Sequence, residues 1–198
     1  TRLFRPMDRT ACRVKWKLDS EAFVVGVGAA DLREERKQIP HTLKTLRHWI
    51  VQRNNAQPVQ VVVFGAGSTV PGMPSEVRFL GPSRNLSILA EWYNSMDVYV
   101  SMSRYETFGN TLAEAGACGT PSICLTGSGM AEVVEPRHNG EHVRSMDELT
   151  AVLAEWSERP SIMRQMGMAA RDHAVRRFDS REVARRFIEL YSEALKAD

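Results

Sequence analysis

Six short apolar runs of strand length alternate along this chain with segments of helix length. Phe23–Val27 is almost continuously apolar, as expected of a parallel strand that is buried on both faces. Further runs of the same kind lie at 59–64, 77–80, 97–102, 121–125 and 141–143. This alternation predicts an α/β fold with a single Rossmann-like, doubly wound parallel sheet.

The segments between and after these runs have the periodicity of helices. Leu43, Leu46 and Ile50 fall on one face of a predicted helix, and Asp179 offers an N-cap for the last one. The predicted helices lie at 42–53, 86–95, 110–119, 130–135, 147–157, 161–178 and 180–196. Since ligands of such sheets bind beyond the carboxyl ends of the strands, the loops that follow the strands are the places to look for chemistry.

The amino-acid composition limits the classes of protein to which this chain can belong. The 198 residues are 43% hydrophobic and 25% charged, which is typical of a soluble globular protein, and the length allows one core or at most two small ones. A net charge of +2 gives no reason to expect a nucleic-acid partner, and no apolar run approaches the length that spans a bilayer. The chain opens on Thr1 rather than methionine, so we expect a segment of a longer protein.

Cysteine and histidine usage indicates neither a disulfide framework nor a metal site. The three cysteines lack C-x-x-C spacing and fit free thiols in a reducing, cytoplasmic setting. The five histidines are scattered without metal-ligand spacing, so no metal is expected.

The run from Glu106 to Glu114 is the segment that most strongly indicates a ligand-binding site. It places two carboxylates eight positions apart between a predicted strand and a predicted helix that begins near Asn110. Unpaired amides at such a helix start favour a phosphate, and Gly109 has no side chain to keep a ligand away. Glu114, about 6 Å along the axis, would then hold ribose hydroxyls. The same residues also fit ordinary dipole complementation and a solvated helix surface.

Other loops at the same predicted edge are weaker signals. Arg36-Lys37, after the first strand, has the charge to neutralise a diphosphate, although a solvated charged loop is the better explanation of these residues taken alone. Phe79 and Leu80 would offer backbone groups and an apolar wall to a base, or simply end a strand. The order and spacing of these loops together indicate more than any one of them does.

Taken together, the motifs resemble the C-terminal, donor-binding domain of retaining glycosyltransferases of the two-Rossmann GT-B architecture, specifically glycosyltransferase family 4. The resemblance covers nearly the whole chain, and its most specific part is the E-x7-E motif followed by Gly119–Pro121. The remaining matching segments are Phe4–Pro6, Val25–Gly28 with Arg36-Lys37, Phe64–Gly67, Val77–Gly81, Asp97–Ser101 and Asn139–Gly140.

The resemblance implies roles for individual residues. Glu106 would contact the donor sugar and Lys37 the diphosphate, as the catalytic pair, while Glu114 would hold the ribose. The backbone of Phe108, Gly109, Asn110 and Thr111 would contact sugar and phosphate, and Arg36, Phe79 and Leu80 would complete the nucleotide-sugar site. No cofactor is implied, because the donor is a UDP-, GDP- or ADP-sugar bound without metal.

The resemblance also divides the chain. Residues 1–20 would be an interdomain linker and the segment leading into the domain, and residues 21–178 the nucleotide-sugar-binding domain. Residues 179–198 would form a C-terminal helix that packs toward a missing N-terminal domain, which binds a saccharide or lipid-linked acceptor, as in polysaccharide biosynthesis. The isolated domain is then expected to be inactive as a hexosyltransferase.

Two departures and two alternatives accompany this interpretation. The family commonly has arginine where this chain has Ala29, and glycine where it has Gln38. A non-catalytic nucleotide- or phosphate-binding Rossmann module would share the glycine loops but would not need Glu106. Peripheral contact with the inner face of a membrane is a further possibility, based on the basic residues Arg171, Arg176, Arg177, Arg181, Arg185 and Arg186.

Overall fold

The computed structural model describes residues 2–53, 57–67 and 77–196. These residues form one six-stranded sheet in the order β3-β2-β1-β4-β5-β6, and every neighbouring pair of strands is parallel. This confirms the predicted doubly wound fold. The strands are β1 Phe23–Asp31, β2 Val59–Ala66, β3 Val77–Gly81, β4 Val98–Ser101, β5 Ser122–Leu125 and β6 Gly140–Val143.

Seven α-helices cover the two faces of the sheet or extend from it within the described ranges. They are α1 Arg9–Lys15, α2 Ile39–Gln52, α3 Leu86–Ser95, α4 Asn110–Ala117, α5 Met146–Ser157, α6 Pro160–Phe178 and α7 Ser180–Ala194. Short 3-10 turns lie at Glu35–Lys37 and Gly129–Glu132, the second where the sequence predicted a helix at 130–135.

The first strand, β1, contributes side chains to two hydrophobic cores, one on each face of the sheet. Successive side chains of β1 point to opposite faces, so Val25 packs with Leu46 of α2 while Val24 packs with Leu112 of α4. All four side chains are at most 1% exposed. Burial on both faces explains why the strands read as continuous apolar runs and not as alternating ones.

The direction of winding reverses between β1 and β4. Val27 of β1 pairs with Val63 of β2 on one side and with Val100 of β4 on the other. The loops that leave β1 and β4 therefore run to opposite sides of the sheet and open a crevice between them, which is where this class of fold binds its ligands.

The first twenty residues contain a helix that the sequence analysis did not assign. Asp8 caps α1 by accepting a hydrogen bond from the amide of Ala11 at 3.1 Å. The helix has only seven residues, and it buries the guanidinium of Arg13 in place of an apolar stripe. Without an apolar period, the sequence pattern gives no helical signal there.

The C-terminal helix begins as predicted and remains uncovered. The side chain of Asp179 accepts a hydrogen bond from the amide of Arg181 at 3.0 Å, which makes it the N-cap of α7. The apolar face of α7 is exposed at Phe187, Ile188, Leu190, Tyr191 and Leu195. Its packing toward an N-terminal domain stays a prediction. Among the described residues, no helix has the length and apolar character to cross a bilayer.

Candidate functional site

Two loops meet at the crevice between β1 and β4. The 3-10 turn Glu35–Lys37 follows β1, and the loop carrying Glu106 follows β4. Backbone bonds fix one loop to the other, because the amide of Arg104 donates to the carbonyl of Arg36 at 2.9 Å. The guanidinium of Arg36 in turn donates to the carbonyl of Tyr105 at 2.9 Å.

Lys37, Arg36 and Glu106 form one charged cluster. Lys37 Nζ donates to Glu106 Oε1, and Arg36 Nη1 lies 3.2 Å from Glu106 Oε2. Glu34 also pairs with Arg36, at 2.6 Å. Burial alone would raise the pKa of Glu106, but the hydrogen bond and charge of Lys37, helped by Arg36, lower it below its ordinary value. The cluster therefore holds an ionised carboxylate between two cations.

The start of α4 depends on a glycine. Gly109 precedes the helix with a φ of 104°, and a Cβ there would lie 3.0 Å from Leu112 and 3.2 Å from Met130. No side chain caps α4, so the amides of Asn110 and Thr111 in its first turn are left for an external acceptor. This is the predicted helix start, at the predicted residue.

Glu114 lies one turn further along α4 in a different environment. Its Oε2 accepts a hydrogen bond from the hydroxyl of Tyr93 on α3 at 2.8 Å. Burial raises the pKa of Glu114 above its ordinary value, and the bond from Tyr93 lowers it only in part. Tyr93 itself has no exposed surface. The carboxylate is thus held by a rigid neutral donor.

A second buried tyrosine lies between the two glutamates. Tyr99 donates its hydroxyl to the carbonyl of Gly28 at 2.8 Å. Burial raises the pKa of Tyr99, a hydrogen bond with Thr111 lowers it in part, and the negative charges of Glu114 and Glu106 raise it further. Both carboxylates therefore act on the hydroxyl group of this β4 residue.

Glu114 and Thr111 form one wall of a cleft of about 660 Å³ at the carboxyl ends of the strands. This volume falls within the range of small-molecule sites in proteins. Ala29, at the position where the family commonly has arginine, is buried and also lines the cleft. The remaining lining residues are Ala30, Phe64, Gly65, Ala66, Pro82, Ser83, Arg84, Leu89 and Tyr93.

Other residues named from the sequence lie next to the cleft without lining it. The ring of Phe108 packs edge-on against Phe178, with centroids 5.0 Å apart. Phe79 and Leu80 pack on opposite faces of the sheet. The backbone roles of these three residues stay predictions, and so does the apolar wall that Phe79 and Leu80 were expected to offer to a base.

Sequence reasoning missed Tyr93 and Tyr99. Both lie in apolar segments and were indistinguishable from core residues by pattern. The one available signal was chemical, because a buried tyrosine hydroxyl requires a hydrogen-bond partner. Which partner it finds depends on the packing of α3 against α4.

Comparison with known proteins identifies the class. A family model described as glycosyl transferases group 1 matches residues 22–158, which span the sheet, the charged cluster and both glutamates. The chain belongs to this family of glycosyltransferases. It is 27% identical over 212 aligned residues to a D-inositol 3-phosphate glycosyltransferase of Saccharomonospora viridis. That alignment covers 98% of this chain and 48% of the relative, so the chain spans about half of that protein.

Solved structures share the fold over nearly the whole chain. Anabaena HepE, in complex with UDP, superposes with a TM-score of 0.81 at 21% identity, covering 97% of this chain and 55% of that one. The C-terminal domain of a group 1 glycosyltransferase, LpcC of Francisella tularensis, gives a TM-score of 0.76 at 17% identity. It covers 90% of this chain and 97% of that chain, so the match is to a C-terminal domain alone.

Proposed function

We propose that this chain is the donor-binding half of a retaining glycosyltransferase and binds a nucleoside diphosphate sugar in the cleft beside α4. The observation that carries the proposal is the placement of Glu114, half-buried at the cleft wall and held by Tyr93, one turn beyond an uncapped helix start. UDP-glucose is the first donor to try, since Anabaena HepE has been solved with UDP-glucose.

The distances along α4 suit a nucleotide. Glu114 lies four residues beyond Asn110, which is about 6 Å along the helix axis. The first-turn amides would bind the diphosphate, and the carboxylate would accept hydrogen bonds from the ribose hydroxyls. Ionised Glu114 is an acceptor-only group, so two hydroxyl donors satisfy it where Tyr93 now satisfies one oxygen.

The charged cluster would serve the reaction itself. The leaving diphosphate gains negative charge as the glycosidic bond breaks, and fixed positive charge aimed at it lowers the barrier. Lys37 and Arg36 are held in place by Glu106 before any ligand arrives. Arg36 would also replace the arginine that the family commonly has at the position of Ala29. In this scheme the donor is bound without a metal ion.

Glu106 would contact the sugar. Its carboxylate is held by two cations on the loop that faces the crevice, so it stays ionised and oriented for sugar hydroxyl groups. The acceptor, a saccharide or lipid-linked saccharide, would come from the N-terminal half of a longer protein. The 198 residues alone are then expected to bind donor and to transfer no sugar.

Calorimetry and turnover assays test the proposal separately. The chain is titrated with UDP, GDP and ADP, and then with the matching glucose conjugates. Binding of one nucleotide in preference to the others supports the donor site, while the absence of binding by all of them contradicts it. Sugar transfer by the 198-residue chain would contradict the requirement for a second half, and NMR of the product of the longer protein tests retention at the anomeric carbon.

Membrane contact stays a prediction within this proposal. Several basic groups of α7 are already paired, since Arg185 bonds to Glu182 and Glu189, and Arg186 lies 3.4 Å from Glu182. Paired charges attract anionic lipid less than free ones do. Sedimentation with vesicles containing phosphatidylserine, at low and high salt, tests the contact, and binding that ignores both lipid charge and salt would contradict an electrostatic mode.

A further inference from the structure

A second cavity lies at the amino ends of the strands, opposite the candidate donor site at their carboxyl ends. It has a volume of about 400 Å³ and is bounded by the start of β1, the residue before β4, and the junction of α5 with α6. None of the residues that line it belongs to the donor cleft or to the Lys37 cluster. Its size is that of a pocket for a small molecule.

Three guanidinium groups line this cavity, from Arg9, Arg13 and Arg164. Arg13 is fully engaged in the fold, because it donates to the carbonyls of Ser95, Ser20 and Ala22 and to Asp97. It is only 5% exposed, so it acts as part of the wall.

Arg9 and Arg164 have guanidinium N–H groups that can still donate hydrogen bonds to a ligand. Arg9 makes one bond to Asp97, at 2.7 Å, and its side chain is 40% exposed. Arg164 is exposed and has no hydrogen bond or ion pair with any residue that the structure describes. Burial lowers the pKa of Arg9, the charge of Asp97 raises it in part, and the positive charges of Arg13 and Arg164 lower it again. Two cations from different helices thus repel each other across one cavity.

Two carboxylates on the wall offset part of this positive charge, and the first of them, Asp97, has its acceptor sites already occupied. Asp97 already accepts from Arg9, from Arg13 at 2.6 Å and from the amide of Val24 at 2.7 Å. Glu21, the other carboxylate, is exposed. It would disfavour ligands with many negative charges, so the cavity suits a single phosphoryl group better than a polyphosphate.

Part of the remaining wall is apolar, while Ser20, Gln57 and Ser157 contribute polar groups to it. Phe23, Trp156 and Met163 line the cavity and are 3%, 4% and 6% exposed. These three side chains offer an apolar surface to the body of a ligand, next to polar groups that can fix its orientation.

We propose that this cavity binds a phosphorylated small molecule, with the phosphoryl group between Arg9 and Arg164 and the body of the ligand against Phe23, Trp156 and Met163. Arginine suits this role because its planar donors match phosphate oxygens. The site would be separate from donor binding and would take a monophosphate ester, such as a sugar phosphate.

Calorimetry on the 198-residue chain tests this site, with glucose 6-phosphate as the probe and neutral glucose as its matched control. UDP is present at saturation so that the donor cleft is filled. We expect glucose 6-phosphate to bind and glucose not to. Arg164→Glu should weaken glucose 6-phosphate binding by about tenfold or more, since hydrogen bonds to charged groups are among the stronger ones.

A second exposed arginine on α6 supplies the control for charge. Arg177 lies outside the cavity, so Arg177→Glu should leave glucose 6-phosphate binding unchanged. Equal affinity in the Arg164 variant, equal loss in both variants, or equal binding of glucose would each overturn the proposal. Failure of glucose 6-phosphate to bind the native chain at concentrations well above about 1 mM would do the same, as would its displacement by UDP.

Discussion

Glu106 and Glu114 belong to one motif, yet the fold gives them opposite environments. Glu106 lies in a loop between Lys37 and Arg36, and these cations lower its pKa. Glu114 lies on a helix beside the buried hydroxyl of Tyr93, and burial raises its pKa. The contrast teaches that the spacing of a motif fixes where two carboxylates lie, while their neighbours decide what each one does.

The two environments suit different tasks. A carboxylate between cations stays ionised and keeps those cations in place. A buried carboxylate with a single neutral donor is poorly satisfied, so it gains more from new hydrogen bonds with a ligand. Shifts of opposite sign in neighbouring titratable groups are characteristic of functional sites.

The largest expected effect is the loss of nucleotide affinity in Glu114→Ala. Two ribose hydroxyls that donate to a carboxylate should contribute about 3 kcal/mol, so UDP should bind about 100-fold more weakly. Calorimetry measures the affinity, and circular dichroism checks that the fold is kept. Glu155→Ala, which changes an exposed glutamate on α5, serves as the control and should bind UDP normally.

Glu106→Gln should separate sugar binding from nucleotide binding. The amide keeps the shape but loses the charge, so the extra affinity of UDP-glucose over UDP should fall by about tenfold. Binding of UDP itself should stay the same or tighten, because Lys37 and Arg36 are released toward the phosphates. If UDP binding fell as far as in Glu114→Ala, the two glutamates would not have the separate roles assigned to them.

Tyr93→Phe should have a smaller effect of the same kind as Glu114→Ala. Removing one hydroxyl donor leaves Glu114 less well oriented, and UDP should bind about fivefold more weakly, or about 1 kcal/mol. Tyr191→Phe removes a hydroxyl from an exposed tyrosine on α7 and should change nothing. Equal affinity in the Tyr93 variant and the native chain would remove Tyr93 from the site.

The smallest expected effect is on the pH dependence of donor binding. Because the pKa of Glu114 is raised and that of Glu106 is lowered, Glu114 takes up a proton first as the pH falls. A protonated Glu114 is a weaker acceptor, so the affinity for UDP-glucose should fall by about twofold between neutral and mildly acidic pH. Calorimetry with Glu114→Gln should show no such fall, and an unchanged slope in that variant would assign it to another group.

Sequence alone predicted the fold and the residue at which α4 begins. Continuous apolar runs such as Phe23–Val27 identified buried parallel strands, and Gly109 before Asn110 identified the start of α4. These features are local, because they depend on periodicity and on backbone conformation.

Features that depend on long-range packing were not predictable. The bond from Tyr93 to Glu114 joins two helices, and the cluster of Lys37 with Glu106 joins residues 69 positions apart. The cavity lined by Arg9, Arg13 and Arg164 brings together residues of α6 and of α1, a helix whose sequence has no apolar period. The sequence pattern shows which residues form a helix or a strand. It does not show which polar groups of different helices and strands come into contact.

The central claim is that the Glu114 carboxylate holds the ribose of a bound nucleotide, and four affinities test it directly. Calorimetry compares UDP with 2′-deoxy-UDP on the native chain and on Glu114→Ala. We expect the native chain to prefer UDP by about tenfold and the variant to bind both nucleotides equally weakly. A variant that still preferred UDP by the native factor would contradict the account, since the 2′-hydroxyl would then be recognised by some other group.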